Sequence, residues 1–222
     1  MDAIDARELT TQAAEDYRKK MNLMLITLRL PDTAGASDDN AIDVTSVLDN
    51  PDFGDMLGVN TADGWDGATG SFGNDDTQKA TMAYEYYQKA FDMSQTVIGG
   101  LPNGTYRVEV QAFGRLGGSQ DDFDAFIHNP DTMSAARPII YAYSTTDSLA
   151  TYKAAPVNLY GSAALTEDLA GEGTASLTDA NGNTFYTPNS MVSTSVWFNA
   201  GYYNNVLYVD VTDGTLCLGM KK

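Results

Sequence analysis

The chain contains 222 residues, of which 13 are Lys or Arg and 30 are Asp or Glu, so its formal net charge is −17. This charge excludes nucleic-acid binding through a basic surface, because phosphate recognition needs clustered cations, and it disfavours an anionic membrane surface. Cys217 is the single cysteine, which excludes an intrachain disulfide and a cysteine-based zinc site, and no run of about 20 apolar residues predicts membrane insertion.

The first predicted element is an amphipathic helix over residues 5–29, and we assign residues 1–30 to this segment. Apolar side chains recur at spacings of three and four residues. They form one stripe, made of Leu9, Ala13, Tyr17, Met21, Met24 and Leu28. The stripe fits packing against the chain's own domain or an upstream one, and it also fits binding to a partner protein.

The composition changes after this helix. Residues 31–41 are rich in Pro, Gly, Ser and Asp, which is typical of a linker. From residue 42 to residue 222 the apolar pattern has mostly a period of two, and Gly or Asn-Gly separates the runs. Tyr, Val and Thr are frequent in these runs. This pattern predicts an all-β domain.

The clearest pattern in this domain is the stretch QTVIGGLPNGTYRVEVQAFGR, residues 95–115. Tyr106, Val108 and Val110 alternate with polar residues, so one face of this strand is predicted to be buried. The sequence Pro-Asn-Gly before the strand favours a tight turn. We therefore predict a hairpin, in which the strand before the turn pairs with the strand after it.

A second hairpin is predicted over residues 204–220, with Thr-Asp-Gly as its turn. Its apolar face comprises Leu207, Val209, Val211, Leu216, Leu218 and Met220. Cys217 points to the opposite face, where we interpret it as a small strand residue. Between the two hairpins, residues 115–190 are less regular and contain segments rich in Gly, Asp and Asn. Polar loops on a rigid β scaffold are common places for binding sites.

Three segments in this order, residues 50–65, 86–115 and 188–222, carry a family resemblance. The chain resembles the galactose-binding-like jelly-roll domains of surface and secreted proteins from glycan-degrading gut bacteria, which are similar to carbohydrate-binding modules. The resemblance covers residues 42–222. It implies a two-sheet antiparallel jelly-roll β-sandwich that follows the N-terminal α-helix. It also implies an extracellular or cell-surface location, and the absence of a leader sequence fits a mature fragment.

The resemblance has further implications for particular positions. Phe53 and Trp65 are expected to flank the first strand and to pack inside, and loops at one edge of the sandwich are expected to contact the ligand. Many family members also hold a structural calcium. Members commonly continue into a further strand that helps to bind this calcium, whereas the present sequence ends at Lys222. The resemblance therefore does not decide whether this chain binds calcium.

Sugar recognition needs a flat apolar surface for C–H groups and polar side chains for the hydroxyls. The candidate ligand-binding residues are Arg115, Asp121, Asp122, Tyr143 and Trp197. Arg115 ends a predicted strand close to the two aspartates. We expect its guanidinium either to form a surface salt bridge with Asp121 or Asp122 or to bind sugar hydroxyls beside them. Trp197 and Phe198 lie in a predicted strand, so one of them is expected to be exposed. Tyr143 shares a face with Tyr141, either in the core or at the rim.

The sequence does not favour an enzyme. His128 is the single histidine, and the Gly-x-Ser-x-Gly motif of α/β-hydrolases, which carries their nucleophilic serine, is absent. The sequence does not exclude a glycosidase with two catalytic carboxylates, because the two residues need no fixed spacing along the chain. The acidic pairs are Asp38-Asp39, Asp75-Asp76 and Asp121-Asp122. They are interpreted as solvated turns, with calcium binding as the alternative.

We therefore expect a noncatalytic carbohydrate-binding module of an exported bacterial glycan-utilisation protein. Its expected partners are a glycan of unknown class and neighbouring domains or a surface protein. The alternative is a structural or adhesive protein-interaction domain of a bacterial surface assembly, which the N-terminal helix favours.

Overall fold

A computed structural model describes residues 11–54, 60–73, 75–81, 83–128, 137–145 and 147–222. Within these ranges the strands are β1 (Asp92–Val97), β2 (Gly104–Gln111), β3 (Phe113–Gly114), β4 (Ile139–Tyr143), β5 (Lys153–Pro156), β6 (Asn158–Leu159), β7 (Thr174–Thr178), β8 (Thr184–Pro188), β9 (Asn204–Val211) and β10 (Leu216–Lys221). The α-helices are α1 (Thr11–Arg29), α2 (Asp76–Lys79), α3 (Ser119–His128), α4 (Ser148–Thr151) and α5 (Met191–Asn199). The predicted β-rich character is confirmed, whereas the four α-helices after α1 were not predicted by the all-β assignment.

The strands form several small sheets. A four-stranded antiparallel sheet has the order β1-β10-β4-β5, and β2 pairs antiparallel with β9. β7 and β8 form a further antiparallel pair, whereas the short β3 and β6 run parallel. The four-stranded sheet and the β2-β9 pair contribute to one shared hydrophobic core.

This core is built from the strands whose side chains alternate. The buried core side chains are Ile26, Val47, Val97, Leu101, Ile140, Ala142, Val157, Leu207, Val209, Val211 and Leu216. On β9 the buried residues are separated by exposed or half-buried ones, as a strand with one face in the core requires. The arrangement is compatible with a β-sandwich.

The two predicted hairpins are wrong, although their strands exist. β1 pairs with β10, so Thr96 lies opposite Cys217, and β2 pairs with β9, so Tyr106 lies opposite Val209. Each of the two turns therefore leads the chain from one sheet to another. The turns meet where Leu101 N donates to the carbonyl of Gly214 at 3.2 Å. A period of two identifies the buried face of a strand but does not specify the strand's partner.

Helix α1 confirms the predicted helix over its described part, and residues 5–10 lie outside the described residues. The face that docks on the protein differs from the predicted stripe. Ile26 is buried in the core, whereas Met21, Met24 and Leu28 are exposed. Packing of the stripe against the chain's own domain is therefore wrong for these residues. None of the described helices is long and apolar enough to cross a membrane.

The region interpreted as polar loops contains more regular structure than expected. Residues 119–128 form helix α3, on which Phe123 is buried. Ser190 caps helix α5, where its side chain accepts from Ser193 N at 3.1 Å. Trp197 therefore lies in a helix, and its interpretation as a strand residue is wrong.

Phe53 and Trp65 pack together outside the main core. Their ring centroids are 5.7 Å apart, and Phe53 also stacks on Tyr84 at 5.2 Å. Trp65 Nε1 donates to the carbonyl of Asn50 at 3.0 Å. Both rings are half-buried. Residues 55–59, which lie between them in the sequence, are outside the described residues.

Candidate functional site

Arg115 follows β3 at the edge of the protein and is held by neutral groups. Its Nε donates to the carbonyl of Gly117 at 3.1 Å, and its two terminal nitrogens donate to Asn189 Oδ1 at 2.8 Å and Ser119 Oγ at 2.7 Å. The guanidinium also lies 4.9 Å from the centroid of the buried Tyr160 ring. The side chain is therefore fixed in one position by four contacts.

Asp121 and Asp122 lie in the first turn of α3, but neither forms the surface salt bridge with Arg115 that was one of the two expectations. The ion pairs found in the described ranges are Arg29–Asp49 and Arg107–Glu109. Asp122 is buried, and its Oδ2 accepts from Leu116 N at 2.9 Å. Two carboxylates in the first turn of a helix also interact favourably with its dipole. A structural role accounts for Asp122 in particular.

Among the described residues that contact Arg115, none presents an exposed aromatic ring. The ring of Tyr160 is covered, and the neighbouring groups are small and polar, namely Gly117, Ser119 and Asn189. Sugar recognition at the edge loops would lack the flat apolar surface that the C–H face of a sugar needs.

An aromatic cluster lies instead on the outer face of the four-stranded sheet. Tyr141 and Tyr143 project from β4 on the side opposite to the core residue Ala142, and Tyr152 immediately precedes β5. The ring centroids are 6.3 Å apart for Tyr141 and Tyr143, and Tyr152 lies 6.1 Å from each. The interplanar angles are 10° to 30°, so the three rings are nearly parallel.

Gly219 on β10 makes room for this cluster. It lies opposite Tyr141 in the register, and a Cβ added to it would lie 2.8 Å from the end of the Tyr141 ring and 2.4 Å from the carbonyl oxygen of Met93. The absent side chain allows Tyr141 to reach across β10 towards β1. There its hydroxyl donates to Asp92 Oδ1 at 2.5 Å.

Opposite charges flank the rings. Lys221 lies opposite Asp92 in the pairing of β1 with β10, and its Nζ is 5.1 Å from the centroid of Tyr141 and 5.8 Å from that of Tyr152. Tyr152 is 39% exposed, whereas Tyr141 is buried beneath its neighbours. We call Tyr141, Tyr143, Tyr152, Asp92 and Lys221 together the tyrosine face.

The phenols of Tyr141 and Tyr143 remain neutral over the physiological pH range, because the pKa of each is raised. A hydrogen bond with Cys217, reinforced by burial, raises the pKa of Tyr143 to about 12. Burial raises the pKa of Tyr141 still further, with a second contribution from the hydrogen bond to Asp92. Neutral phenols keep both a hydroxyl donor and a ring surface of moderate polarity. Cys217 itself is buried beside them.

Trp197 is placed away from any surface site. Its side chain is completely buried, and Nε1 donates to the carbonyl of Ala163 at 3.2 Å. An indole in this position offers no face to a ligand. Trp197 is therefore wrong as a candidate ligand contact, because helix α5 directs its side chain into the interior.

The acidic residues of the described ranges form no group of three or more His, Cys, Asp and Glu side chains that is suited to a metal. Asp75 caps helix α2 by accepting from Gln78 N at 2.8 Å. Asp179 holds the turn between β7 and β8 by accepting from the N–H groups of Asn181 and Asn183 at 2.9 and 2.8 Å. His128 is exposed at the end of α3.

Comparison with known proteins adds no assignment: no family model matches the chain, and neither the curated proteins nor the solved structures contain a match. The resemblance to galactose-binding-like domains stays a prediction. Of the candidate ligand residues, Tyr143 lies in the tyrosine face, whereas Arg115, Asp121 and Asp122 lie at the separate edge beside α3. Sequence reasoning missed Asp92 and Lys221, which β1 and β10 bring to β4 from distant parts of the sequence. It also missed Tyr152, which precedes β5 in the region interpreted as polar loops.

Proposed function

We propose that the chain is a noncatalytic carbohydrate-binding module of an exported bacterial protein, and that the tyrosine face binds the glycan. The observation that carries this proposal is the set of three nearly parallel tyrosine rings on the outer face of the sheet, flanked by Lys221 and Asp92. The proposal places the glycan site on the sheet and not in the edge loops.

The chemistry of the tyrosine face suits a sugar ring. Aromatic rings contact the C–H groups of a pyranose, while hydroxyl, ammonium and carboxylate groups at the margin exchange hydrogen bonds with its hydroxyls. Tyr152 is the most exposed of the three rings, so it is the first to meet a ligand. Tyr141 is fixed by Asp92, and a ring that is already ordered loses little entropy when a ligand binds.

The finer fold assignment, a two-sheet jelly-roll β-sandwich, belongs to the same proposal. Two features support it: the shared core between the four-stranded sheet and the β2-β9 pair, and the two turns that lead the chain from one to the other. Connections between two packed antiparallel sheets are typical of jelly rolls. The proposed location is extracellular or at the cell surface.

A glycan array probed with the purified chain tests the proposal. It is run once with Ca²⁺ and once with a chelator. We expect binding to one class of glycan in the Ca²⁺ arm, and a loss of signal in chelator identifies a calcium that shapes the site. If the chain is folded by circular dichroism but binds no glycan in either arm, the proposal is contradicted.

A second candidate function is a protein-interaction domain, structural or adhesive. The observation that favours it is the exposed apolar side of helix α1, where Met21, Met24 and Leu28 are 63%, 65% and 81% exposed. Exposed apolar surface of this kind often marks a contact with another protein.

A further inference from the structure

Helix α1 docks on the protein through one side of its C-terminal half. Ile26 is buried there, and a Cβ added to Gly100 would lie 3.1 Å from both Ile26 and Leu23. The helix therefore rests closely on the backbone of the Gly99-Gly100 turn. Of the residues from Thr11 to Met21, only Ala13 is even partly buried, so this half of the helix is open to contact.

The opposite side of α1 has the spacing of a coiled-coil seam. The apolar residues at alternating intervals of three and four are Ala14, Tyr17, Met21, Met24 and Leu28. In heptad terms they occupy positions a, d, a, d and a, which are the positions that face a partner helix. All five are exposed. At 1.5 Å per residue this seam is about 21 Å long.

Two of the residues that border the seam are basic, and none of the others is acidic. Arg18 and Lys20 occupy the flanking e and g positions of the same heptad, and Lys20 Nζ lies 5.8 Å from the Tyr17 ring centroid. Within α1 there are four cations and two carboxylates, a net charge of +2, in a chain whose net charge is −17. Charges at e and g positions select the partner helix.

We propose that the seam of α1 binds an amphipathic α-helix of a partner protein, whose apolar stripe is bordered by Asp and Glu. The proposal rests on the second candidate function and is independent of glycan binding. A seam of little more than two heptads gives a weak and reversible contact, because short helices are only marginally stable by themselves.

A second copy of the chain is a poorer occupant on charge grounds. In a parallel pair Lys20 would face Leu25 of the other copy, and Arg18 would face Ala13. In an antiparallel pair e faces e and g faces g, so Arg18 and Lys20 again meet no carboxylate. An anionic membrane is also disfavoured, since the strongly negative chain is repelled by its surface.

Two designed peptides test the proposal. Both have three heptads with Leu at a and d; one has Glu at every e and g position, and the other has Lys there. Binding of each labelled peptide to the full chain is measured by fluorescence anisotropy. We expect the Glu peptide to bind at least about tenfold more tightly than the Lys peptide, with a preference that weakens as salt screens the charges.

Matched variants locate the contact. Met24→Asp is expected to abolish binding of the Glu peptide. The double variant Arg18→Glu and Lys20→Glu is expected to reverse the preference towards the Lys peptide. Lys19→Glu is the control, because Lys19 occupies position f, away from the seam, and the substitution changes the charge by the same amount as each of the other two. Circular dichroism verifies that every variant is folded.

Equal binding of the two peptides, or no binding of the Glu peptide, would overturn the proposal. Seam-dependent dimerisation in analytical ultracentrifugation would assign the face to a second copy instead, and seam-dependent binding to phosphatidylserine vesicles would assign it to a membrane; either result also overturns it. Glycan binding of Met24→Asp is measured in parallel, and an unchanged affinity there separates this proposal from that for the tyrosine face.

Discussion

Gly219 shows how one small residue shapes the tyrosine face. The Gly219→Ala substitution would place a methyl group within 2.4 Å of the Met93 carbonyl and 2.8 Å of the Tyr141 ring. We expect the free energy of unfolding in urea to fall by about 1–3 kcal/mol, which is typical of overpacking, and glycan affinity to fall as Tyr141 is displaced.

Gly35→Ala is the matched control, because its added Cβ would meet only Asn40 Nδ2 at 3.9 Å. Its unfolding free energy is expected to stay close to that of the wild type. Equal stability and equal glycan affinity of the two variants would show that Gly219 does not position Tyr141.

At the scale of the element, the sequence indicates the faces of strands better than their partners. The alternation in β2 and β9 identifies the buried residues Val209 and Val211 and the polar positions between them. The turn sequences Pro-Asn-Gly and Thr-Asp-Gly are as compatible with a connection between two sheets as they are with a hairpin. Helix α3 was missed because its first residues, Ser-Gln-Asp-Asp, are as common in loops as in helices.

The candidate site was predictable only in part: the sequence indicates residues that share a face of one strand, but not the residues that neighbouring strands bring beside them. Tyr141 and Tyr143 are two residues apart in one strand, so their shared face follows from the period of two. Asp92, Tyr152 and Lys221 join them only through the pairing of β1, β10, β4 and β5. The pairing of β10 with β1 and β4 joins distant parts of the sequence, and no local pattern encodes it. β4 and β5 are consecutive strands, but Tyr152 precedes β5 in a region that lacks a clear period of two.

The pairing of strands is itself a prediction for solution. Nuclear Overhauser contacts between backbone protons are expected between Thr96 and Cys217 and between Arg107 and Tyr208, which are partners in the register. Contacts across a β1-β2 pair are not expected. Their observation would restore the hairpin and contradict the sheet order described above.

At the scale of the whole molecule, the phenols determine the response to high pH. Burial raises the pKa of Tyr86 to about 12, and the pKa values of Tyr106, Tyr141, Tyr143 and Tyr203 are raised as well. In the unfolded chain these groups titrate near pH 10. Their contribution to stability is complete below pH 10 and is lost as the pH rises through the folded-state values, since the unfolded chain releases its protons first.

We therefore expect the free energy of unfolding in urea to decrease steadily between about pH 10 and 12. The absorbance of tyrosinate near 295 nm reports the same groups directly. Several phenols of the native protein should titrate at higher pH than those of the urea-unfolded chain. Native and unfolded titration curves that coincide would contradict the burial of these side chains.

Two surfaces with different chemistry lie on different elements of the molecule. The tyrosine face lies on the four-stranded sheet, whereas the seam of α1 lies on the far side of a helix that touches the Gly99-Gly100 turn. A glycan and a partner helix would therefore occupy different surfaces. Binding at one surface does not require the other.

The measurement that tests the central claim most directly is calorimetric titration of the array-identified glycan into the wild type, Tyr152→Ala and Tyr208→Ala. Tyr208 is the matched control, a tyrosine on β9 that is 60% exposed and lies outside the tyrosine face. We predict a loss of affinity of about tenfold or more for Tyr152→Ala, equivalent to about 1.4 kcal/mol, and wild-type affinity for Tyr208→Ala. Wild-type affinity of Tyr152→Ala would contradict the account.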